Sequence, residues 1–360
     1  MVPGERVAVI NEHRRRQLLE LMGERGWDSI LLYGNAWRKD PFRSLVNFNF
    51  SGDHALARLS RSGEIAVTFS DPWDAETASA SLQPDFAKAF AGGASPGITA
   101  IAGLEFMEER FVAACGTLPI SATADVEELR RVKTAEEIGY IRQACDLADR
   151  GYQRFVEVAE PGMREFELVA EVEAFLKANG AEDNFMLIAS GGTEVVGMKP
   201  PTDRKFQQGD SVTTELTPQV NGYYAQICRT LVLGEPSPDQ LKAFDIFSEA
   251  QSAAQDLIKP GITAADAARA QNDVFRKYGY GDYTGAKYTR VRGHCVGLYP
   301  DETPHILEDV DYMLKQDMVV IAHPNTYLPL SGYMVFGDTL LVTETGNTRL
   351  NKTEKKLFKK

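Results

Sequence analysis

The hydrophobic pattern changes period along the chain. Residues 6–26 carry apolar positions at helical spacing and stop at Gly26, and Ser29–Tyr33 is a short apolar run closed by Gly34 and Asn35, the mark of a buried strand. Ala55–Ser60 and Glu64–Ser70 flank Arg61-Ser62-Gly63 and predict a hairpin. Helix-like segments and short apolar strands then alternate from Pro72 to about Ile120, so residues 1–125 read as a small α/β domain.

After a charged link, Asp125–Lys133, the periods lengthen and residues 126–360 read as a second domain. Thr134 with Glu137 three residues on is a capping box, and it opens a long amphipathic helix through about Val158. Pro161-Gly162 and Pro260-Gly261 stand 99 residues apart, and so do Gly180 and Gly279, where the following helices stop. Equal offsets in two landmarks predict a duplicated helical unit with strands between the copies. Between them Glu215–Thr230, ELTPQVNGYYAQICRT, predicts a β-hairpin turning at Pro218–Asn221–Gly222, with a second strand from Tyr223. Strand alternation puts Thr213, Glu215 and Thr217 on one face, and Tyr224, Gln226 and Cys228 on the face beside it. Further strands are expected at Tyr288–Arg292, Met318–Ala322, Tyr333–Phe336 and Thr339–Thr343.

Composition narrows the functions. The formal net charge of −12 argues against nucleic acid as a partner. No apolar run reaches membrane-spanning length, and the first residues have no apolar core of signal-peptide size. Cys115, Cys145, Cys228 and Cys295 are widely spaced without a CxxC pair, a cytoplasmic pattern. Ser190-Gly191-Gly192 lacks the lysine and following helix of a phosphate loop, so no nucleotide cofactor is expected.

Six stretches in order resemble the pita-bread fold of the creatinase, prolidase and aminopeptidase P superfamily. They are RRVKTAEEIGYIRQACDLAD, the paired EPGM and KPGI turns, GDSV with NGYYAQICRT, GHCVGLYPDETP, MVVIAHPNTY and GDTLLVTETG. The resemblance implies an α+β fold: a pita-bread domain with pseudo-twofold helix pairs on a curved antiparallel sheet, behind a small α/β N-terminal domain. It also implies a homodimer in which Arg43 and Phe48 approach the partner's cleft.

In the peptidases of this superfamily two metal ions are held by two Asp, one His and two Glu. Those five positions fall here on Glu215, Gln226, His294, His323 and Gly337. Gln cannot bridge two cations and Gly offers no ligand, so the expectation is an enzyme with no metal and no other cofactor. It would be a creatinase-like enzyme acting on a small, polar, nitrogen-containing and carboxylate-bearing metabolite, by hydrolysis of a C–N bond or a related lyase or cyclisation reaction. His294, His323, Glu215 and Asp301 would carry acid–base catalysis, while Gln226, Tyr224, Cys228, Met198, Arg290, Arg43 and Phe48 would bind substrate. Cys228 becomes a nucleophile if an imidazole holds it as thiolate. Lys199, Arg229 and Arg292 are further anchors for a carboxylate. Two alternatives stand beside this: an inactive binding or scaffold protein, and a one-metal hydrolase using Glu215, His294 and His323 as a facial triad.

Overall fold

The computed structural model describes residues 9–91, 97–116 and 119–360, and the chain divides into two units, Met1–Arg130 and Arg131–Lys360. In the first unit, helix α1 (Glu12–Arg25) begins where Asn11 accepts a hydrogen bond from the Arg14 amide at 3.0 Å. It ends at Gly26, whose left-handed backbone (φ 73°) lets the chain turn back on Met22. The helix is therefore shorter at its start than the 6–26 pattern predicts; residues 6–8 lie outside the described residues.

Six strands follow: β1 (Ser29–Asn35), β2 (His54–Ser60), β3 (Ile65–Phe69), β4 (Ser81–Leu82), β5 (Thr99–Ala102) and β6 (Ile120–Ser121). They form one sheet in the order β4-β3-β2-β1-β5-β6, in which β2 and β3 make the expected hairpin. Leu18, Met22, Phe42, Phe50 and Phe69 fill the core on one side of this sheet.

The second unit opens with the predicted capping box. Thr134 accepts from the Glu137 amide (3.2 Å), Glu137 accepts from the Thr134 amide (2.8 Å), and helix α2 (Ala135–Val158) follows. Helices α3 (Glu165–Ala178), α4 (Pro238–Leu257) and α5 (Ala264–Lys277) complete two pairs, α2 with α3 and α4 with α5. The copies match in backbone detail: Gly162 and Gly261 both have φ 91°, and the closing Gly180 and Gly279 have φ 93° and 82°. These are left-handed values that glycine adopts without strain.

Among the described residues the second unit contains a ten-stranded sheet. Its central strands are β7 (Asp183–Gly191), β8 (Ser211–Val220), β9 (Ile227–Val232), β10 (Gly293–Cys295), β11 (Val319–Ala322) and β12 (Gly337–Val342), paired antiparallel in the order β7-β8-β9-β12-β11-β10. Asn221 (φ 49°) and Gly222 (φ 86°) form the tight turn that ends β8, as predicted. The first helix pair packs on one half of the sheet through Leu147, Phe155, Leu168, Leu176 and Leu216. The second covers the other half through Ala254, Ala268, Val320, Ala322 and Leu340. Residues 288–292 are not a strand, because the carbonyls of Thr289 and Val291 are taken by the Arg292 guanidinium rather than by a ladder.

The two halves meet at β9 and β12 through two residue pairs, Ile227 with Asp338 and Cys228 with Gly337. Arg229, fully buried, bolts this short join. It donates to the Gly337 carbonyl (2.7 Å), the Cys228 carbonyl (2.9 Å) and the equally buried Asp338 carboxylate (2.7 Å). Breaking a buried ion pair leaves an uncompensated charge and costs about 3–5 kcal/mol. Asp338→Ala is therefore expected to lower unfolding free energy by that order in urea titrations, while Thr134→Ala, which removes one cap, costs about 1 kcal/mol.

Candidate active site

The join brings together side chains from both halves. Glu215 on β8 faces Cys228 on β9 as its cross-strand partner, and both are buried. From the other half, His294 lies on β10 and His323 follows the end of β11, with their rings 5.2 Å apart. Glu215 Oε1 stands 3.9 Å from His323 Nδ1. Glu215, His294 and His323 thus form one cluster, as the sequence predicts.

Within this cluster hydrogen bonds are few. His294 Nδ1 lies 2.9 Å from the Cys295 carbonyl, which fixes Nδ1 as the donor and leaves Nε2 as an acceptor. Neither ring nitrogen of the buried His323 has a hydrogen-bond partner, and the same holds for the Thr217 hydroxyl two residues beyond Glu215. Burial, with the Asp301 charge adding to it, raises the Glu215 carboxyl from its ordinary 4.5 to about 7. Burial also lowers His294, against the pull of Asp301, and carries His323 well below the usual imidazole range, with His294 pushing the same way. Burial thus holds both imidazoles toward their neutral forms and the carboxyl toward its protonated form.

Asp301 Oδ1 lies 3.0 Å from His305 Nε2 and 3.7 Å from His294 Nδ1. Burial raises its carboxyl, but the His305 hydrogen bond and the neighbouring imidazoles outweigh burial and hold it below the ordinary value. Asp301 therefore belongs first to His305 and only secondarily to the cluster. Gln226 donates to Cys228 Sγ at 3.2 Å. The Cys228 thiol is pushed far up by burial and the Glu215 charge, which removes it as a thiolate nucleophile. Cys228, Tyr333 and Val335, with Val195 and Met198 against them, make an apolar wall beside Glu215.

Several expected substrate contacts are spent elsewhere. The break between Tyr223–Tyr224 and β9 interrupts the alternation, and the Tyr224 hydroxyl donates to Asp183 at 2.9 Å. Arg290 pairs with Asp309, Arg229 with Asp338, and Arg292 clamps backbone carbonyls. Arg43 donates to Asn47 (2.8 Å), and Phe48 is buried in the first unit's core against Phe69. The sequence reading missed Tyr333, whose hydroxyl is pushed up by burial and then by the charge of Glu215. Its alternation with Val335 on a buried strand was the available signal.

Two packed helix pairs on one curled antiparallel sheet define the pita-bread class. The chain belongs to metallopeptidase family M24, which matches residues 139–344. It is 37% identical over 235 residues to the Xaa-Pro dipeptidase of Pyrococcus furiosus, covering 65% of this chain and 66% of that one, just under two-thirds of the relative's length. It is 31% identical over 242 residues to an uncharacterized peptidase of Bacillus subtilis, covering 66% and 67%. The solved prolidase of Pyrococcus furiosus superposes with TM-score 0.76 at 28% identity, over 93% of this chain and 99% of that one. The X-Pro aminopeptidase of Thermotoga maritima superposes with TM-score 0.84 at 22% identity, over 96% and 99%, a likeness of fold.

These matches correct the expectation of a metal-independent, creatinase-like enzyme for a small non-peptide metabolite. That reading took the altered ligand positions as decisive, whereas sequence likeness over 65% of the chain runs to proteins named as Xaa-Pro dipeptidases.

The raised Glu215 carboxyl makes a signed prediction for chelator-treated protein. A carboxyl that holds its proton more tightly when folded lowers stability as pH rises from about 4.5 to about 7, and the loss levels off above. At 1.36 kcal/mol per unit that is on the order of 3 kcal/mol. Glu215→Gln should abolish this slope and be the more stable protein at pH 8 in urea unfolding. An unchanged slope would refute the assignment.

Proposed function

We propose that the protein is a hydrolase of short peptides, of the Xaa-Pro dipeptidase kind. The observation that carries this reading is the convergence of Glu215, His294 and His323 from both halves of an M24 sheet, beside an apolar wall of Met198, Cys228, Tyr333 and Val335. Such a wall suits a compact apolar group such as a proline ring, and the polar cluster suits the adjoining amide.

The two-ion centre of the family does not fit these residues. The Gln226 amide is engaged with Cys228, Gly337 brings no donor, and two ions need bridging carboxylates. Nor, among the described residues, do three His, Cys, Asp or Glu side chains gather round one point to hold a single ion, although Glu215, His294 and His323 stand near one another.

The chain's own residues do supply proton transfer and orientation. The Glu215 carboxyl, near 7, holds or releases a proton at its Oε atoms at neutral pH, the property wanted of a general acid or base. The Cys295 carbonyl orients His294, and the apolar wall excludes water from the reacting bond. The homodimer belongs to this reading, and so does a reducing, cytoplasmic setting, in keeping with four free cysteines.

The test is a mass-spectrometric assay of a panel of Xaa-Pro and other dipeptides with added Zn²⁺, Co²⁺ or Mn²⁺. Cleavage is expected for at least one Xaa-Pro dipeptide. Glu215→Gln and His294→Ala should each lower kcat/KM by about 100-fold or more. An inert panel, or variants as active as the parent, would overturn the reading.

A further inference from the structure

A hairpin of Asn325–Leu328 with Gly332–Val335 separates two environments. Its register sets Asn325 opposite Val335, Thr326 opposite Met334 and Tyr327 opposite Tyr333. Side chains alternate along a strand, so Tyr327, Tyr333 and Val335 share one face, while Leu328 and Met334 lie on the other. Leu328 and Met334 pack on Phe247 of α4 and Phe275 of α5. The opposite face carries Tyr333 and Val335 into the apolar wall with Cys228. Tyr327 therefore stands on the same face as that wall, one cross-strand step from Tyr333, and its ring is half-buried.

Two more tyrosines join it. Tyr288 stacks on Tyr327 with ring centroids 5.4 Å apart and planes 11° from parallel. Tyr283 meets both rings, at 5.0 Å from Tyr288 and 5.7 Å from Tyr327, and all three are half-buried. The stack is fixed from behind. The buried Arg292 guanidinium donates to the Thr289 carbonyl at 2.9 Å and to the Asn325 carbonyl at 3.0 Å. It thereby ties the residue after Tyr288 to the strand that carries Tyr327. Among the described residues Arg292 pairs with no carboxylate, so the cost of burying its charge is offset by these carbonyls and by Asn272. The Thr326 hydroxyl donates to the Tyr283 carbonyl and holds the third ring's backbone. Rings set in advance take up a ligand without the cost of ordering them.

The charges nearby select the occupant. Lys287 Nζ lies 5.2 Å from the Tyr288 ring centroid, so a cationic side chain would meet a like charge there. An acidic one would face the negative faces of the rings and finds Arg290 already paired with Asp309. A neutral ring suits the stack, since aromatic pairs attract edge-to-face or offset at centroid distances of about 4.5–7 Å. Directly opposed strand residues have Cβ atoms about 5 Å apart, close to the ~3.8 Å between neighbouring Cα atoms of a peptide. Adjoining residues of one short peptide can thus rest on Tyr333 and Tyr327. We propose that Tyr283, Tyr288 and Tyr327 form a subsite for a neutral aromatic side chain on the residue that precedes the proline. This rests on the short-peptide reading above and names the dipeptides it favours, those with Phe or Tyr before Pro.

The experiment uses the full chain with Phe-Pro, Ala-Pro, Asp-Pro and Lys-Pro, measuring kcat/KM by mass spectrometry and binding by calorimetry. Phe-Pro is expected to exceed Ala-Pro by about 10-fold or more, chiefly through KM, with Asp-Pro and Lys-Pro below both. Tyr327→Leu should lower the Phe-Pro to Ala-Pro ratio at least ~5-fold, whereas Tyr327→Phe, which keeps the ring, should preserve it. Tyr288→Leu, checked by circular dichroism, serves if Tyr327→Leu does not fold. A ratio near one in the parent, a ratio unmoved in a folded leucine variant, or preference for Asp-Pro or Lys-Pro would each overturn the subsite. Equal cleavage of Phe-Pro and Ala-Pro would remove the subsite and leave the dipeptidase reading standing. If no dipeptide is cleaved, that reading falls and calorimetry decides this one. Tighter binding of Phe-Pro than Ala-Pro, weakened in Tyr327→Leu, supports the subsite, and equal or absent binding overturns it.

Discussion

The Arg229–Asp338 pair is the interaction on which the second unit's chemistry depends. The two halves of the sheet meet in a short ladder at β9 and β12, flanked by hydrogen bonds from the Tyr224 amide to the Gly297 carbonyl and between Gln226 and Thr339. Arg229 adds two main-chain carbonyls and a carboxylate to that seam, and its guanidinium also lies over the Phe336 ring at 4.7 Å. Glu215 belongs to one half, His294 and His323 to the other. A cluster assembled across a seam is only as well placed as the seam is rigid, and charged hydrogen bonds in a dry interior are rigid.

The same dryness sets the electrical character of the site. Burial acts on acid and base in opposite directions, lifting the Glu215 carboxyl and depressing both imidazoles. Each group is thereby held toward its uncharged form. Arg229, Asp338, Lys133 and Glu302 show the other solution, in which full charges are buried as close pairs.

Much of this was legible from residue order. The capping box at Thr134, the two Pro-Gly turns and the Asn221–Gly222 hairpin are local rules, and each formed where its residues stand. The pairing of His294, His323 and Glu215 was legible because it follows from the resemblance and from the identities at five positions. What could not be read was where the long polar side chains end. Tyr224 and Arg290 have neighbours in the fold that compete for them, Asp183 and Asp309, and such partners come from distant parts of the chain or from a loop. The closeness of Gly337 to His323 was equally hidden, since a glycine in a strand looks the same in sequence whether it meets open space or a backbone.

That glycine also limits what the seam can carry. A Cβ at 337 would stand 2.4 Å from the His323 Cβ and 2.7 Å from the Ala322 carbonyl oxygen, so a larger residue could enter only if the strand ends beside the Arg229 bolt moved apart. The width of that gap acts as a filter on which side chains position 337 accepts.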